Sequence, residues 1–251
     1  MNLGMPIAKG NTAEIYLYQN KIVKVFNDHL PDGESSYEAS KQMYAHSCGL
    51  PVPEVYDVST INGRQAIVME FVKGRTLGEM LLEDRDQAEY YMELSVDIQR
   101  NIHHIVADSF DQMAMKLSRQ IESAPQLDWK YKSALVQKLS RRTSENHLCH
   151  GDFHLFNIMM TETNEVKIID WVDSSAGDIR ADVYRSYLLY IQYDQELAEM
   201  YLRLYCKKSG FTREEIIEWA PIIAGARLSE NVLSEKNERL MEIVKRHCLL
   251  K

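Results

Sequence analysis

The stretch LCHGDFHLFNIMM, Leu148 to Met160, places four groups able to hold a metal or a proton within eight residues: His150, Asp152, His154 and Asn157. Asp152 follows Gly151, which lets the backbone take a tight or left-handed turn. Asn157 stands just before the apolar run Ile158-Met159-Met160, and a second apolar run, Val166 to Ile169, ends at Asp170. Paired as strands, the two runs would bring their polar ends together as two carboxylates and an amide. Such oxygen ligands suit Mg²⁺, which keeps several waters and binds substrate phosphates. The His150-x-x-x-His154 spacing also suggests zinc. Taken singly, each feature has a plainer reading. An Asp beside a Gly is usually a turn residue, and IIDW can simply end a strand.

The elements that must position these groups can be read along the chain. AEIYLYQNKIVKVF, Ala13 to Phe26, carries β-branched and aromatic residues on both sides of Gln19-Asn20 and predicts a hairpin. Lys24 lies in its second strand, facing opposite to Val23 and Val25. Such a lysine normally snorkels to solvent. Gly10, Asn11 and Thr12 mark a loop before the hairpin; its backbone N–H groups could lie over phosphates, although a single glycine makes a weak motif. A helix capped by Ser35 or Ser36 and stopped by Gly49 follows, and Glu38 within it could pair with Lys24. Two extended segments then surround a turn at Asn62-Gly63. From about Thr76 to Arg142 the pattern is helical, with a break at Pro125. HLCHGDFHLFNIMM and EVKIIDWVD then read as two short strands with polar tips, joined by a turn at 162–164. Helices resume from Arg180, one stopped by Gly210 and another started by Thr212 with Glu215 three residues on. The fold class expected is α+β, divided into 1–72 and 73–251.

The 251 residues are 45% hydrophobic and 26% charged, ordinary values for a soluble globular protein. No window approaches the roughly 18 consecutive apolar residues of a membrane span. No signal peptide is evident. The formal net charge of −8 and the lack of a dense Lys/Arg run argue against nucleic acid as a partner. Cys48, Cys149, Cys206 and Cys248 are scattered without a CxxC pair, which argues against a cysteine zinc site or a disulfide framework and fits a reducing cytoplasm.

HGDFHLFN (His150 to Asn157) and IIDW (Ile168 to Trp171) resemble the catalytic signature of the aminoglycoside phosphotransferase family, H-G-D-x-H-x-x-N followed by I-D-W. YEASKQMYAHSCGLPVPEV, IVMEFVKGRTL, NIHHI and GDIRADV resemble further family segments in the same order, to about Tyr190. The resemblance implies a protein-kinase-like fold with a small β-rich N-lobe (1–72, nucleotide-binding) and a mostly helical C-lobe (73–251). It implies that Asp152 is the catalytic base or orienter of a substrate hydroxyl, and that Asn157 and Asp170 hold Mg²⁺. Lys24, set by Glu38, would contact the phosphates of ATP or GTP beneath the Gly10-Asn11-Thr12 loop. Backbone groups of Glu70, Phe71 and Val72 would bind adenine. His150 and His154 would shape the loop and Asp182 would brace it; the family pattern holds both histidines without zinc. Ile179 replaces the family's proline, and His103-His104 offers two candidates where the family usually has one.

These roles suit phosphoryl transfer, which needs in-line positioning and charge neutralisation more than covalent help. Asp173, Asp178 and Glu230 are the candidates for contact with an acceptor, expected to be a small and possibly cationic molecule of the aminoglycoside or amino-alcohol class. The alternative is a catalytically silent, kinase-like nucleotide-binding or regulatory protein. A protein kinase fits less closely, because HGDFHLFN and IIDW differ from the usual H-R-D and D-F-G pair. No membrane partner is expected, and monomer and homodimer both stay open.

Overall fold

The computed structural model describes residues 3–10, 12–142, 145–232 and 235–248. In chain order the strands are β1 (Ala8–Lys9), β2 (Ala13–Tyr18), β3 (Lys21–Phe26), β4 (Val55–Ile61), β5 (Arg64–Glu70), β6 (Gly74–Thr76), β7 (His147–Cys149), β8 (Ile158–Thr161), β9 (Val166–Ile168) and β10 (Ser175–Gly177). The helices are α1 (Glu34–Ser47), α2 (Leu77–Glu83), α3 (Ala88–His103), α4 (Met113–Ser123), α5 (Trp129–Ser140), α6 (Ile179–Tyr193), α7 (Gln195–Ser209), α8 (Arg213–Ile217), α9 (Ala220–Arg227) and α10 (Asn237–His247). The architecture is α+β, with a small antiparallel sheet near the N-terminus and a largely helical remainder. The chain forms two compact units, Met1–Glu83 with Leu155–Asp173, and Asp84–His154 with Ser174–Lys251. These bounds differ from the linear 1–72 and 73–251 division. β6 pairs with β8, and α2 packs on the turn at Leu155–Asn157, so both sides of that contact group together.

In the first unit the strands run β1-β2-β3-β5-β4, antiparallel throughout. Gln19 and Asn20 both take positive φ between the paired residues Tyr18 and Lys21, as a two-residue hairpin requires. Asn62 and Gly63 do the same between β4 and β5. Val23, Val25, Ile61 and Ala66 pack on one face. Phe26 and Ile67 pack on the other against Ala39 of α1. Lys24 shares its strand face with Phe26, so it is aimed at α1 rather than at solvent. The serine cap expected for α1 is not formed. Gly33 occupies the N-cap, and the Gln65 carboxamide oxygen accepts from the N–H groups of Gly33 and Ser35 at 3.0 and 3.2 Å. A second sheet, β6-β8-β9, contains the hairpin expected across 162–164. Gly74 permits its close approach, since a Cβ there would run into the Met160 carbonyl.

In the second unit β7 pairs with β10. Helix α9 is buried along its whole length, as an all-round apolar helix must be, and packs against α4, α5, α6 and α10. Asp128, past Pro125, caps α5 by accepting from Lys130 and Tyr131 N–H. Gly210, at φ 82°, ends α7, and Thr212 with Glu215 forms the expected capping box on α8. Among the described residues no helix is long and apolar enough to cross a membrane.

Candidate active site

The first unit holds Lys24, Glu38, Asn157 and Asp170 of the sequence-derived set. Lys24 Nζ lies 2.6 Å from Glu38 Oε1, with side chains 14% and 5% exposed. Burial pushes the Glu38 carboxyl up; the Lys24 charge and hydrogen bond oppose this, while nearby Asp170 and Glu34 add to it. Asp170 is therefore electrostatically coupled to the Lys24–Glu38 pair.

Strand pairing explains how Asn157 and Asp170 come together. Ile158 lies opposite Ile168, and the Ile169 N–H donates to the Asn157 carbonyl at 3.0 Å. Asn157 is buried at the end of a 3₁₀ turn, and Asp170 is exposed at φ 65°, a left-handed conformation that Asp tolerates better than most residues. Trp171, fully buried with its indole N–H donating to the Ile168 carbonyl at 3.0 Å, anchors the chain beyond it. A carboxylate and an amide oxygen on adjacent strand ends are hard donors that fit Mg²⁺.

The remaining first-unit candidates are more dispersed. Gly10 lies in the β1–β2 turn, its N–H donating to the Ala13 carbonyl, and the Thr12 carbonyl accepts from Asn27 N–H. Asn11 lies outside the described residues. Glu70 ends β5; its N–H donates to the Glu54 carbonyl and its carboxylate accepts from Lys167 at 2.9 Å. Phe71 and Val72 follow directly, Val72 buried. Asp173 is half-buried at the end of the Leu155–Asp173 segment.

The second unit holds Asp152. Gly151, at φ 81°, turns the chain after β7, which the glycine was expected to allow. Its N–H donates to Asp182 Oδ1 at 2.7 Å and its carbonyl accepts from Arg185 Nε at 3.0 Å, so helix α6 grips both polar groups of one peptide residue. The Asp152 carboxylate has His154 Nε2 at 3.5 Å and Arg185 Nη2 at 3.7 Å, and its N–H donates to His150 Nδ1 at 3.3 Å. Burial pushes the Asp152 carboxyl up. The His154 hydrogen bond and the charges of Arg185, His154 and His150 outweigh that and hold it well below the usual carboxylate range. Asp152 is thus ionised at neutral pH. His150 is fully buried and packs edge-on against Phe153.

Asp182 anchors a buried network. It accepts from Gln99 Nε2 at 3.0 Å and meets His103 Nε2 at 2.9 Å; His103 Nδ1 meets the Tyr205 hydroxyl at 2.6 Å, and Tyr201 donates to Gln99 Oε1 at 2.5 Å. Burial raises the Asp182 carboxyl, but the His103, Gln99 and Gly151 hydrogen bonds lower it further. His103, Cys149 and Asp182 place possible metal-binding atoms within 4.8 Å of one another. Both His103 nitrogens are spent on hydrogen bonds, and burial pushes the Cys149 thiol well up, so the cluster is a hydrogen-bonded knot around neutral Cys149.

The other acceptor candidates have partners within the second unit. Asp178 is buried, capping α6 through Arg180 N–H at 2.8 Å and pairing with the Arg180 guanidinium. Glu230 accepts from Arg185 at 2.9 Å, from Gln120 at 3.4 Å, and pairs with Arg227. Arg185, Gln99, Tyr201, Tyr205 and Arg227 did not figure in the sequence-derived set. The available signal was polar residues at helical spacing within apolar helices: Asp182, Arg185 and Ser186 on α6, Gln99 and His103 on α3, Tyr201 and Tyr205 on α7. His103 is the network member, which resolves the His103-His104 pair.

A family model described as a phosphotransferase enzyme family, APH, matches residues 4–219. No curated protein sequence is significantly similar to the chain. Among solved structures, an apo thermostable mutant of the aminoglycoside phosphotransferase APH(4)-Ia is 13% identical, with 98% of this chain and 95% of that chain covered and a TM-score of 0.74. A ternary complex of that protein with AMP-PNP and hygromycin B is 14% identical over 98% and 94%, TM-score 0.71. An aminoglycoside-3'-phosphotransferase of type VIII is 20% identical over 90% of each chain, TM-score 0.64. The choline kinase LicA from Streptococcus pneumoniae is 16% identical over 95% and 91%, TM-score 0.65. At these identities the likeness to the solved structures is one of fold.

Proposed function

We propose that this chain, which belongs to the APH phosphotransferase enzyme family, moves the γ-phosphate of ATP or GTP to a hydroxyl of a small molecule. The observation that carries the reading is Asp152: an acid held ionised at the family's signature position, on a loop gripped through the Gly151 peptide. An ionised carboxylate can aim an acceptor hydroxyl and take its proton as transfer proceeds.

The first unit would take the nucleotide. Lys24, oriented by Glu38, would contact the phosphates, with the turn at Gly10, Asn11 and Thr12 over them and the backbone of Glu70, Phe71 and Val72 against the base. Asn157 and Asp170 would hold Mg²⁺, whose chemistry when bound is to neutralise phosphate charge. His150 and His154 would shape the Asp152 loop, and Asp182 would brace it. For the acceptor we propose a cationic aminoglycoside or amino-alcohol. That reading is supported by the formal net charge of −8 and by the fold shared with a hygromycin B complex and a choline kinase. Asp173 is its first candidate contact. The four cysteines, all free, support a reducing cytoplasmic setting.

Thermal-shift titration with ATP and with GTP, each with and without Mg²⁺, tests the nucleotide site. A ligand at about 100 times its Kd stabilises the folded state by about 2.7 kcal/mol. We expect a Mg²⁺-dependent rise with at least one nucleotide. No rise with either at millimolar concentration would contradict the reading and favour the catalytically silent one.

A further inference from the structure

We propose that Arg185 is the positioning residue of the acceptor-side loop, fixing the Asp152 carboxylate through a clamp that Glu230 and Arg227 hold in place. The inference rests on the reading of Asp152 given above. The planar guanidinium of Arg185 uses three directions at once. Nε donates to the Gly151 carbonyl at 3.0 Å, while Nη2 donates to Glu230 Oε2 at 2.9 Å and faces Asp152 Oδ1 at 3.7 Å. Its side chain is 8% exposed, so its charge is little screened by water. Glu230 in turn is fixed by Arg227 and Gln120, and Arg227 by Glu235 at 2.7 Å.

Three properties distinguish this clamp from an incidental ion pair. Arg185 sits on α6 one turn after Asp182, which grips the N–H of the same Gly151 whose carbonyl Arg185 grips. The two peptide planes that meet at Gly151 are therefore each held, and the one leading into Asp152 cannot rotate without breaking the Arg185 bond. Asp152 is also faced by His154 and, through its own N–H, by His150, so Arg185 supplies the one permanently charged group among the three. Glu230, a sequence candidate for acceptor contact, has two arginines and a glutamine on its carboxylate, which suits an anchor for Arg185. A lysine could keep the charge but not the fork that spans the Gly151 carbonyl and Glu230 together.

The test compares wild type with Arg185→Lys and Arg185→Met in two measurements. Steady-state MgATP hydrolysis, with water in place of the acceptor, should lose about a hundredfold in kcat in both variants, the cost of a small misplacement of a reacting group. The KM for ATP should stay unchanged. Full activity in Arg185→Lys, or a loss confined to KM, overturns the positioning role. Crystal structures supply the second measurement, independent of turnover. In Arg185→Met the Asp152 carboxylate and the Gly151 peptide should leave their wild-type positions. An Asp152 carboxylate that stays within about 0.5 Å, the tolerance of a preorganised site, overturns the proposal even if no hydrolysis is detectable. Failure of the kinase reading itself looks different: wild type would then neither bind MgATP nor respond to Asp152→Asn.

Discussion

At the scale of residues, Asp152 and the Lys24–Glu38 pair are the groups whose chemistry is most constrained. The Asp152 carboxylate has the Arg185 guanidinium and the His154 ring beside it, so replacing it by an amide of equal size removes proton acceptance while keeping shape. Asp152→Asn is expected to lower phosphoryl transfer by about a hundred- to ten-thousandfold, the usual worth of a general base. The thermal shift caused by Mg²⁺-nucleotide should be retained, and side-by-side rate and melting measurements check both halves. Lys24→Met should act in the opposite sense. It leaves Glu38 buried without its cation, and breaking such a pair costs about 3–5 kcal/mol. Urea denaturation should show that loss, and nucleotide-induced stabilisation should shrink with it. The placement of Lys24 opposite its flanking valines could be read from strand alternation alone. Its burial could not, because the α1 face that covers it, with Ala39 and Glu38, is a tertiary fact.

At the scale of elements, the turns and caps written in local sequence formed where expected: Gln19-Asn20, Asn62-Gly63, Gly210 and the Thr212–Glu215 box. The α1 cap did not, because Gln65 reaches it from 32 residues away along the chain. The stretch HLCHGDFHLFNIMM, His147 to Met160, has the pattern of one strand with a polar tip but divides into β7, a 3₁₀ turn and β8. β7 answers to β10 and β8 to β6 and β9, a choice of partners that short apolar runs do not encode. The same limit hid the network that joins α3, α6 and α7. Helical spacing shows that Gln99 and His103 share a face, but not that the face meets Asp182. Tyr205→Phe should leave His103 Nδ1 buried and unpaired, costing about 1–3 kcal/mol. Thr212→Ala, which removes an exposed cap, should cost about 1 kcal/mol. Guanidinium unfolding of the two variants checks whether the buried hydroxyl matters at least as much as the cap.

At the scale of the whole molecule, the sequence indicated one β-rich part and one helical part, and missed that Leu155–Asp173 returns to the first. A linear reading assigns neighbours to the same part; strand pairing between β6 and β8 does not respect that order. Stability against pH integrates the buried acids of both units. Asp152 and Asp182 have folded-state pKa values below their unfolded ones. Their contribution is therefore present above the unfolded value of about 3.9 and lost as pH falls through the lower folded values. Glu38, raised by burial, works the other way, weakening the fold as pH rises through its unfolded and then its folded value. The urea midpoint should therefore fall steeply below about pH 4, and Asp182→Asn should flatten that acid limb. The central claim, that the chain is a phosphotransferase working through Asp152, is tested most directly by transfer of labelled γ-phosphate from Mg²⁺-ATP and Mg²⁺-GTP to a panel of aminoglycosides and amino-alcohols, with wild type and Asp152→Asn compared side by side. The account predicts a labelled acceptor with wild type and labelling at least about a hundredfold slower with the variant. Equal labelling by both proteins would contradict it.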